Sequence, residues 1–459
     1  MNLRTNVILL RIIPLLVYAV LIQYETQFNI WKCSHSNSLL AKKRRKKVRI
    51  PWATINERIS DRHFRRMFRM TRDCFALLCS TIISKIGEKQ FKSEAYIDAF
   101  LKGKDPMYEA NTQTTGGYIS GEVKLAITLR LLAGGDALDL GVMFDVQTDH
   151  CTKIMYDVLL SWIIRPDIGD LNMMKYLGDK RAMSRVSAGF SKRSNGVLIG
   201  AIGAIDGWLV RIVRPGWRDL ILNPVSFFSR KGFYALNVQC IVDDRKKVLW
   251  VSYSHKGGSH DSSCLRETVL YEKLIEMRDT LYSLGYFILG DSAYAIESFL
   301  LPPYDGANSR SSEDDFNFYH SSARITVECA FGEIDLRWGI FWKRLTGSLE
   351  HGSLIIEGAM RLHNYLVDYR DVQTKNVEVE SYIESVIFED DCLDRGIQPI
   401  VVGNDGGRPS GRPSATDKFY KMQGLKLRDK LRLSLKDHDM HRSRKEEWST
   451  NVNTHVVRN

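Results

Sequence analysis

Three acidic residues stand in surroundings where acids are uncommon. Asp206 ends the apolar run Gly203-Ala204-Ile205 and is followed by Gly207-Trp208. Asp291 ends Phe287-Ile288-Leu289-Gly290 and is followed by Ser292-Ala293-Tyr294. Glu328 lies inside Arg324 to Gly332, which reads RITVECAFG. Carboxylate oxygens are the ligands that hard divalent cations such as Mg²⁺ prefer, and two such ions about 4 Å apart hold the attacking and leaving oxygens of a phosphodiester displacement. Three carboxylates brought to one point would therefore support metal-assisted phosphoryl chemistry. Singly, each acid has an ordinary reading: Asp206 as a turn former, Asp291 as a helix cap, Glu328 as a charge on a helix surface. Two strand-end aspartates followed by a helical glutamate form a more specific pattern.

The elements that must position them follow from periodicity. Strand-like runs cover Val197 to Ile205, Phe233 to Val242 and Val248 to Tyr253, the last two joined by the polar turn Asp243-Asp244-Arg245-Lys246. A helix from about Ser262 to Leu284 comes next, then a short buried strand from Tyr286 to Gly290, then a helix from Ala323 to Trp338. The carboxyl ends of such strands are where α/β sheets display ligands. In the last helix Val327, Phe331, Ile334 and Trp338 recur at core spacing. Glu328 sits one step round from that stripe and shares its face with Arg324 and Gly332, so it falls at the rim of the core beside a cation. Together these elements predict a mixed sheet covered by helices.

Upstream, Asn56 to about Arg165 has helical character. Apolar and cationic positions interleave from Arg62 to Met70, and Val123 to Leu132 forms a helix stopped by Gly134-Gly135. Ala137 to Leu160 reads as two helices joined by a turn near Asp145 to Asp149, a helix-turn-helix pattern equally at home in domains that never touch DNA. Gly169 to Asn195 reads as a polar connection to a second domain.

With 459 residues, 44% of them hydrophobic, the chain can bury a sizeable core, which excludes a disordered polymer. Lys plus Arg number 65 against 54 acids, a net +11 that favours a polyanionic partner. The run Lys42-Lys43-Arg44-Arg45-Lys46-Lys47 concentrates that charge and reads as a nuclear import signal, a phosphate contact or a solvated arm. Residues 7 to 24 are apolar but interrupted by Arg11 and Pro14; signal anchor, secretory signal and plain apolar extension compete there. The eight cysteines show no CxxC pairing and read as small core residues in a reducing compartment. Beyond Asp371 the chain is acidic, then Gly/Arg/Pro-rich, a linker in which Arg408 and Arg412 of two Gly-Arg-Pro triplets suit a narrow minor groove. A basic helix from Lys418 to Leu435 follows.

Taken in order, Ala204 to Gly207 (AIDG), Lys256 to Ser262 (KGGSHDS), Gly290 to Tyr294 (GDSAY), Arg324 to Gly332 and Leu362-His363-Asn364 resemble the PIF/Harbinger superfamily of DDE transposases and their domesticated nuclease relatives. The resemblance spans roughly residues 60 to 370. It implies an α/β, RNase H-like core, a mixed five-stranded sheet flanked by helices and preceded by an all-helical domain. The expected layout is an apolar segment and basic arm over 1–55, a helical and helix-turn-helix DNA-binding domain over 56–168, the endonuclease domain over 196–370, and linker plus basic tail over 371–459. By that resemblance Asp206, Asp291 and Glu328 are the catalytic triad, holding two Mg²⁺ or Mn²⁺ ions for cleavage at transposon ends and strand transfer into double-stranded DNA. Asp261 matches a recurrent acidic position, with helix capping favoured over a supporting role. His363 and Asn364 match family positions, with a buried structural role as the alternative. The basic run makes a nuclear location the expectation, a homo-oligomer is a further expectation, and the resemblance implies a separate Myb-like DNA-binding partner, since this chain shows no clear pattern of spaced tryptophans. The alternatives are a domesticated, non-catalytic DNA-binding or adaptor protein and, on residues 7 to 24 alone, a membrane-anchored one.

Overall fold

Five strands form one mixed sheet: β1 (Ala201–Arg211), β2 (Ala235–Val242), β3 (Val248–Lys256), β4 (Phe287–Leu289) and β5 (Leu300–Leu301), in the spatial order β3-β2-β1-β4-β5. The β1–β2 and β2–β3 pairs are antiparallel; β1–β4 and β4–β5 are parallel. This is the RNase H-like arrangement the resemblance implies. The hairpin between β2 and β3 is shaped by Asp243, whose Oδ1 accepts from the backbone N–H groups of Arg245 (2.9 Å) and Lys247 (2.8 Å).

The structure, a computed structural model, describes residues 50–86, 119–163, 168–171, 173–216, 223–373, 414–438 and 440–441, all within one packing unit. The apolar segment 7–24, the basic run Lys42 to Lys47 and the arginines Arg408 and Arg412 lie outside them. Among the described residues no helix is long and apolar enough to cross a membrane.

Ahead of the sheet come α1 (Trp52–Arg58), α2 (Asp61–Phe68), α3 (Arg72–Ile86), α4 (Gly121–Leu132), α5 (Ala137–Met143), α6 (Thr148–Ile163), α7 (Met173–Leu177) and α8 (Lys180–Arg193). Trp52, Phe64, Phe68 and Phe75 knit the first three together, with Trp52 stacked on Phe75 at 5.0 Å. The stretch 169–195, read above as a polar connection, holds α7 and α8. Its cations line the outside of α8, while Met183, Val186 and Phe190 recur at helical spacing and are buried. Val197 and Leu198 lie between the turns at Gly196 and Gly200 (φ +89° and +102°), and β1 starts at Ala201 rather than at Val197.

After β3 the predicted helix is two, α9 (Asp261–Arg266) and α10 (Val269–Leu284), divided where the Thr268 hydroxyl caps the N–H of Tyr271. After β5 come α11 (Ser312–Arg337), a 3-10 turn (Gly339–Trp342), α12 (Leu349–Gln373) and α13 (Ala415–Asp437). Helix α11 covers β1 and β2, and α12 is sandwiched between α6 and β3. Helix α13 packs on α11 and β5, burying Leu427, Leu431 and Leu435 at a spacing of four. There the Arg428 guanidinium donates to the carbonyls of Pro302 (3.3 Å) and Pro303 (2.9 Å).

Candidate active site

The parallel register of β1 and β4 carries most of the site. Ala204 pairs with Leu289, the last residue of β4. Asp206, two residues on, lies in the middle of β1, which runs on to Arg211 to pair with β2, and not at a strand end as expected, while Asp291 follows β4 by two residues, in the turn beyond it. Helix α11 packs on β1 with Ala323, Val327, Ala330 and Ile334 buried, which leaves Arg324 and Glu328 beside Asp206. Arg324 bridges the two: Nη1 donates to Asp206 Oδ2 at 3.0 Å, and Nη2 donates to Glu328 Oε1. The cation expected beside Glu328 is therefore in place, and it ties the first acid to the third.

Burial raises the Asp206 carboxyl to about 6, a shift opposed by Arg324 and by the Gly207 N–H that Asp206 Oδ1 accepts at 2.8 Å, and reinforced by Asp291 and Glu328. Asp291 is also raised by burial, opposed by the Ala293 N–H it accepts at 3.0 Å and by Arg324, and reinforced by Asp261. Thus Asp291 does cap a turn, as its ordinary reading has it, and faces the other acids as well. The mutual electrostatic effects place Asp206, Asp291 and Glu328 in one field, with Asp261 beside Asp291.

Asp261 is not the cap of α9. His260 holds that position, without a side-chain cap bond, and Asp261 is the first helical residue. Its Oδ1 instead accepts from Asn237 Nδ2 and Gln239 Nε2, both at 2.9 Å. Gln239 Nε2 also donates to Asn237 Oδ1 (2.8 Å), while the Tyr294 hydroxyl donates to Gln239 Oε1. This buried network lies directly under Gly207, where an added Cβ would meet Asp261 Oδ1 at 2.4 Å and Gln239 Nε2 at 2.8 Å. Capping was favoured because Asp at a helix start usually does so; the neighbouring strand offers two amide donors and wins. Asn237, Gln239 and Tyr294 escaped the sequence reading. Their signal was available: two polar side chains two apart on one face of a strand that is otherwise apolar and wholly buried.

His363 and Asn364 are fully buried away from the acids, on α12. Asn364 clamps the start of β3, accepting from Val248 N (2.8 Å) and donating to Val248 O (2.7 Å), and His363 Nε2 meets Lys246 O at 2.8 Å. Their role is structural. The described cysteines are free thiols, and burial holds those of Cys74, Cys79 and Cys264 up at about 12, so they act as core residues.

The donor set is made of oxygen atoms alone, which suits Mg²⁺ or Mn²⁺. Among the described residues, however, no three acidic, histidine or cysteine side chains converge closely enough to hold an ion as they stand. Arg324 occupies the space between Asp206 and Glu328, and the Glu328 side chain, 48% exposed, has the freedom to turn. The acids fit a metal in chemistry and need side-chain rotation to fit it in geometry.

Residues 205–364 match the family model described as DDE superfamily endonuclease, a span that runs from the residue before Asp206 to Asn364 and includes Asp291 and Glu328. Over that span the chain is similar to DDE superfamily endonucleases. It is also similar to Protein ALP1-like of Arabidopsis thaliana, 25% identical over 305 residues that cover 63% of this chain and 70% of that protein. No solved structure matches it.

Two exposed surfaces bear on a nucleic-acid partner. Helix α2 shows Arg62, Arg65 and Arg66 to solvent, and none of the three has an acid partner among the described residues. By contrast, the pair α5–α6, where the helix-turn-helix was expected, presents Asp136, Asp139 and Asp149 together with the exposed apolar side chains Leu138 and Val142.

Proposed function

We propose that this domain is a divalent-metal-dependent DNA endonuclease of the transposase type, cutting phosphodiester bonds at transposon ends and joining them to target DNA. The observation that supports the proposal is Asp206 on β1 and Asp291 just past the neighbouring parallel strand β4, each two residues beyond the paired Ala204 and Leu289, with Glu328 linked to Asp206 through Arg324. Asp206, Asp291 and Glu328 would hold two Mg²⁺ or Mn²⁺ ions, which when bound supply an activated water or 3′-hydroxyl and stabilisation of the leaving oxyanion. The chain's own contribution is positional. Arg324 neutralises Asp206 and Glu328 beforehand and releases an oxygen of each as Glu328 turns. Asp261, fixed by Asn237 and Gln239, holds the floor of the site and adds negative potential beside Asp291.

In this reading duplex DNA is gripped by the unpaired arginines of α2, because cations that neutralise phosphates dominate affinity, whereas the acidic face of α5–α6 repels them. That pair is then better suited to protein contact, with a second copy or a Myb-like partner. The basic run Lys42 to Lys47 fits a nuclear location, and Arg408 and Arg412 fit added DNA contact.

The test is cleavage by the purified chain, with Mg²⁺ or Mn²⁺, of DNA carrying the inverted repeats that flank its coding region. Asp206→Asn and Glu328→Gln are expected to abolish cutting while the fold persists; variants that cut like the parent would sink the assignment. A second reading, a domesticated DNA-binding or adaptor protein, is favoured by one feature: Arg324 stands between the acids where an ion would sit. Salt-dependent DNA binding, with no cutting of any substrate in either metal, would decide for it.

A further inference from the structure

A cleft of about 540 Å³ opens beside the acids, bounded by β1 from Gly207 to Arg211, by Arg230 to Phe233, by the segment Gly257 to Asp261, and by Phe341 and Trp342 of the 3-10 turn. Its volume lies within the range of about 300–1,000 Å³ typical of small-ligand sites. One end is Asp261 and Ala293, so the cleft starts where the candidate catalytic acids stop. Its Gly257-Gly258 wall is tightly built: a Cβ on Gly257 would meet Ala235 O at 2.6 Å and Phe227 O at 2.7 Å. The wall is therefore backbone, packed close, with no side chain intruding.

The chemistry of the rim is unusual for a surface. Trp342 is 58% exposed, yet its indole Nε1 donates to Asp335 O at 2.8 Å, which fixes the ring by its polar edge. The apolar remainder of the ring is left to the cleft. Cations and acids both line it: Arg230 and Lys231 on one side, and Arg211, whose guanidinium lies 4.5 Å from the Phe233 ring centroid, together with Asp261 and Asp335. Arg230 is close enough to Asp291 to lower that acid's pKa, so the cationic rim reaches the acids. An anchored, exposed aromatic amid cations binds planar rings carried on a phosphate chain, by stacking and by charge. A paired base, already stacked within a duplex, has no free face to offer Trp342.

We propose that this cleft takes a single unpaired nucleotide next to the bond to be cut, its base stacked on Trp342 and its phosphates on Arg230 and Lys231. The proposal rests on the reading of the domain as DNA-processing, and it specifies the substrate: a strand end or distorted junction with one nucleotide out of the helix. Trp342 is a positioning residue for that nucleotide, not a catalytic one.

The test uses the full chain without divalent metal and two oligonucleotides, a fully paired duplex and the same duplex with one unpaired 2-aminopurine at a strand end. The parent is expected to prefer the unpaired end by about tenfold and to quench 2-aminopurine fluorescence on binding. Trp342→Ala should lose both the preference and the quenching, Trp342→Phe should keep most of each, and the Arg230→Ala, Lys231→Ala pair should weaken both duplexes and flatten the salt dependence. Melting temperatures within about a degree of the parent establish that exposed Trp342 carries no folding role. Preference and quenching that survive in Trp342→Ala overturn the proposal, even if the parent cuts DNA with Mg²⁺. A Trp342-dependent signal in a chain that never cuts DNA would leave the cleft standing and remove the nuclease reading.

Discussion

Replacing Asp206 by asparagine separates the cost of the site from its use. The carboxyl sits with only 18% of its side chain exposed and is raised from 3.8 to about 6, chiefly by burial. A raised folded-state pKa means that, between about pH 4 and 6, the unfolded chain gives up this proton before the folded chain does. Parent stability therefore falls as pH rises through that window and stays lower above it. A shift of about two units corresponds to about 3 kcal/mol at pH 7.5. Asparagine keeps the shape and removes the charge, but its amide nitrogen cannot accept from Arg324, a loss of about 1 kcal/mol or more. Metal-free Asp206→Asn should thus be more stable than the parent at pH 7.5 by about 1–2 kcal/mol, a few degrees in melting temperature, and lose that advantage near pH 4. Mg²⁺ should raise the parent's melting temperature and leave the variant's unchanged, since an ion that binds only the folded state stabilises it. Thermal melts at both pH values, with and without Mg²⁺, read all of this. A variant less stable than the parent by the same amount at both pH values would refute the reasoning, because burial of charge would then not be what strains this position.

Arg324→Gln removes the cation between two acids, so the Asp206 carboxyl should rise further; the expected result is a lower melting temperature at pH 7.5 that partly recovers at pH 5, and an acid limb of the pH–rate profile moved to higher pH. Gly207→Ala drives a Cβ into Asp261 and Gln239, and displacing that network should reduce cleavage by about tenfold or more in folded protein, measured beside its circular dichroism. Asn364→Ala strips the paired donor and acceptor of Val248 and should destabilise by about 3 kcal/mol in denaturant melts, with cutting per folded molecule unchanged. Neutralising Arg62, Arg65 and Arg66 together should lower the slope of log K against log salt for duplex binding by up to about 3, at about 0.9 per lost phosphate contact.

How much of this was legible depended on whether the deciding interaction is local. The apolar runs before Asp206 and Asp291 announce buried strands, and the S-x-x-D start of α11 at Ser311 and Asp314 marks a capped helix that the polar first half otherwise hides. The helix was expected only from Ala323 because its early residues carry little apolar periodicity. Helix α12 went unread for the opposite reason: Ile355, Ile356, Ala359, Met360, Leu362 and Leu366 are buried on several sides, so no single stripe stands out. Asp261 shows the limit most clearly. Its local sequence favours a cap, and only the approach of β2 across the sheet supplies the amides that claim its oxygen.

Register is what turns these separate signals into a site. Strand β1 is antiparallel to β2 and parallel to β4, so its middle, where Asp206 and Gly207 lie, faces two environments at once. On the β2 side, Gly207 lies opposite Gln239, and the missing side chain lets Asp261 close beneath it. On the β4 side, the pairing of Ala204 with Leu289 sets Asp206 and Asp291 each two residues further along. A slip of one residue in either pairing would send Asp206 to the opposite face of the sheet, away from Arg324 and Glu328. The buried polar network and the eight-residue β1–β2 ladder resist that slip, whereas the β1–β4 ladder is short and shifts register between Ala201 and Gly203. The acids are therefore placed by the sheet and balanced by Arg324, and a chain lacking metal can keep three mutually repelling carboxylates in one field without unfolding.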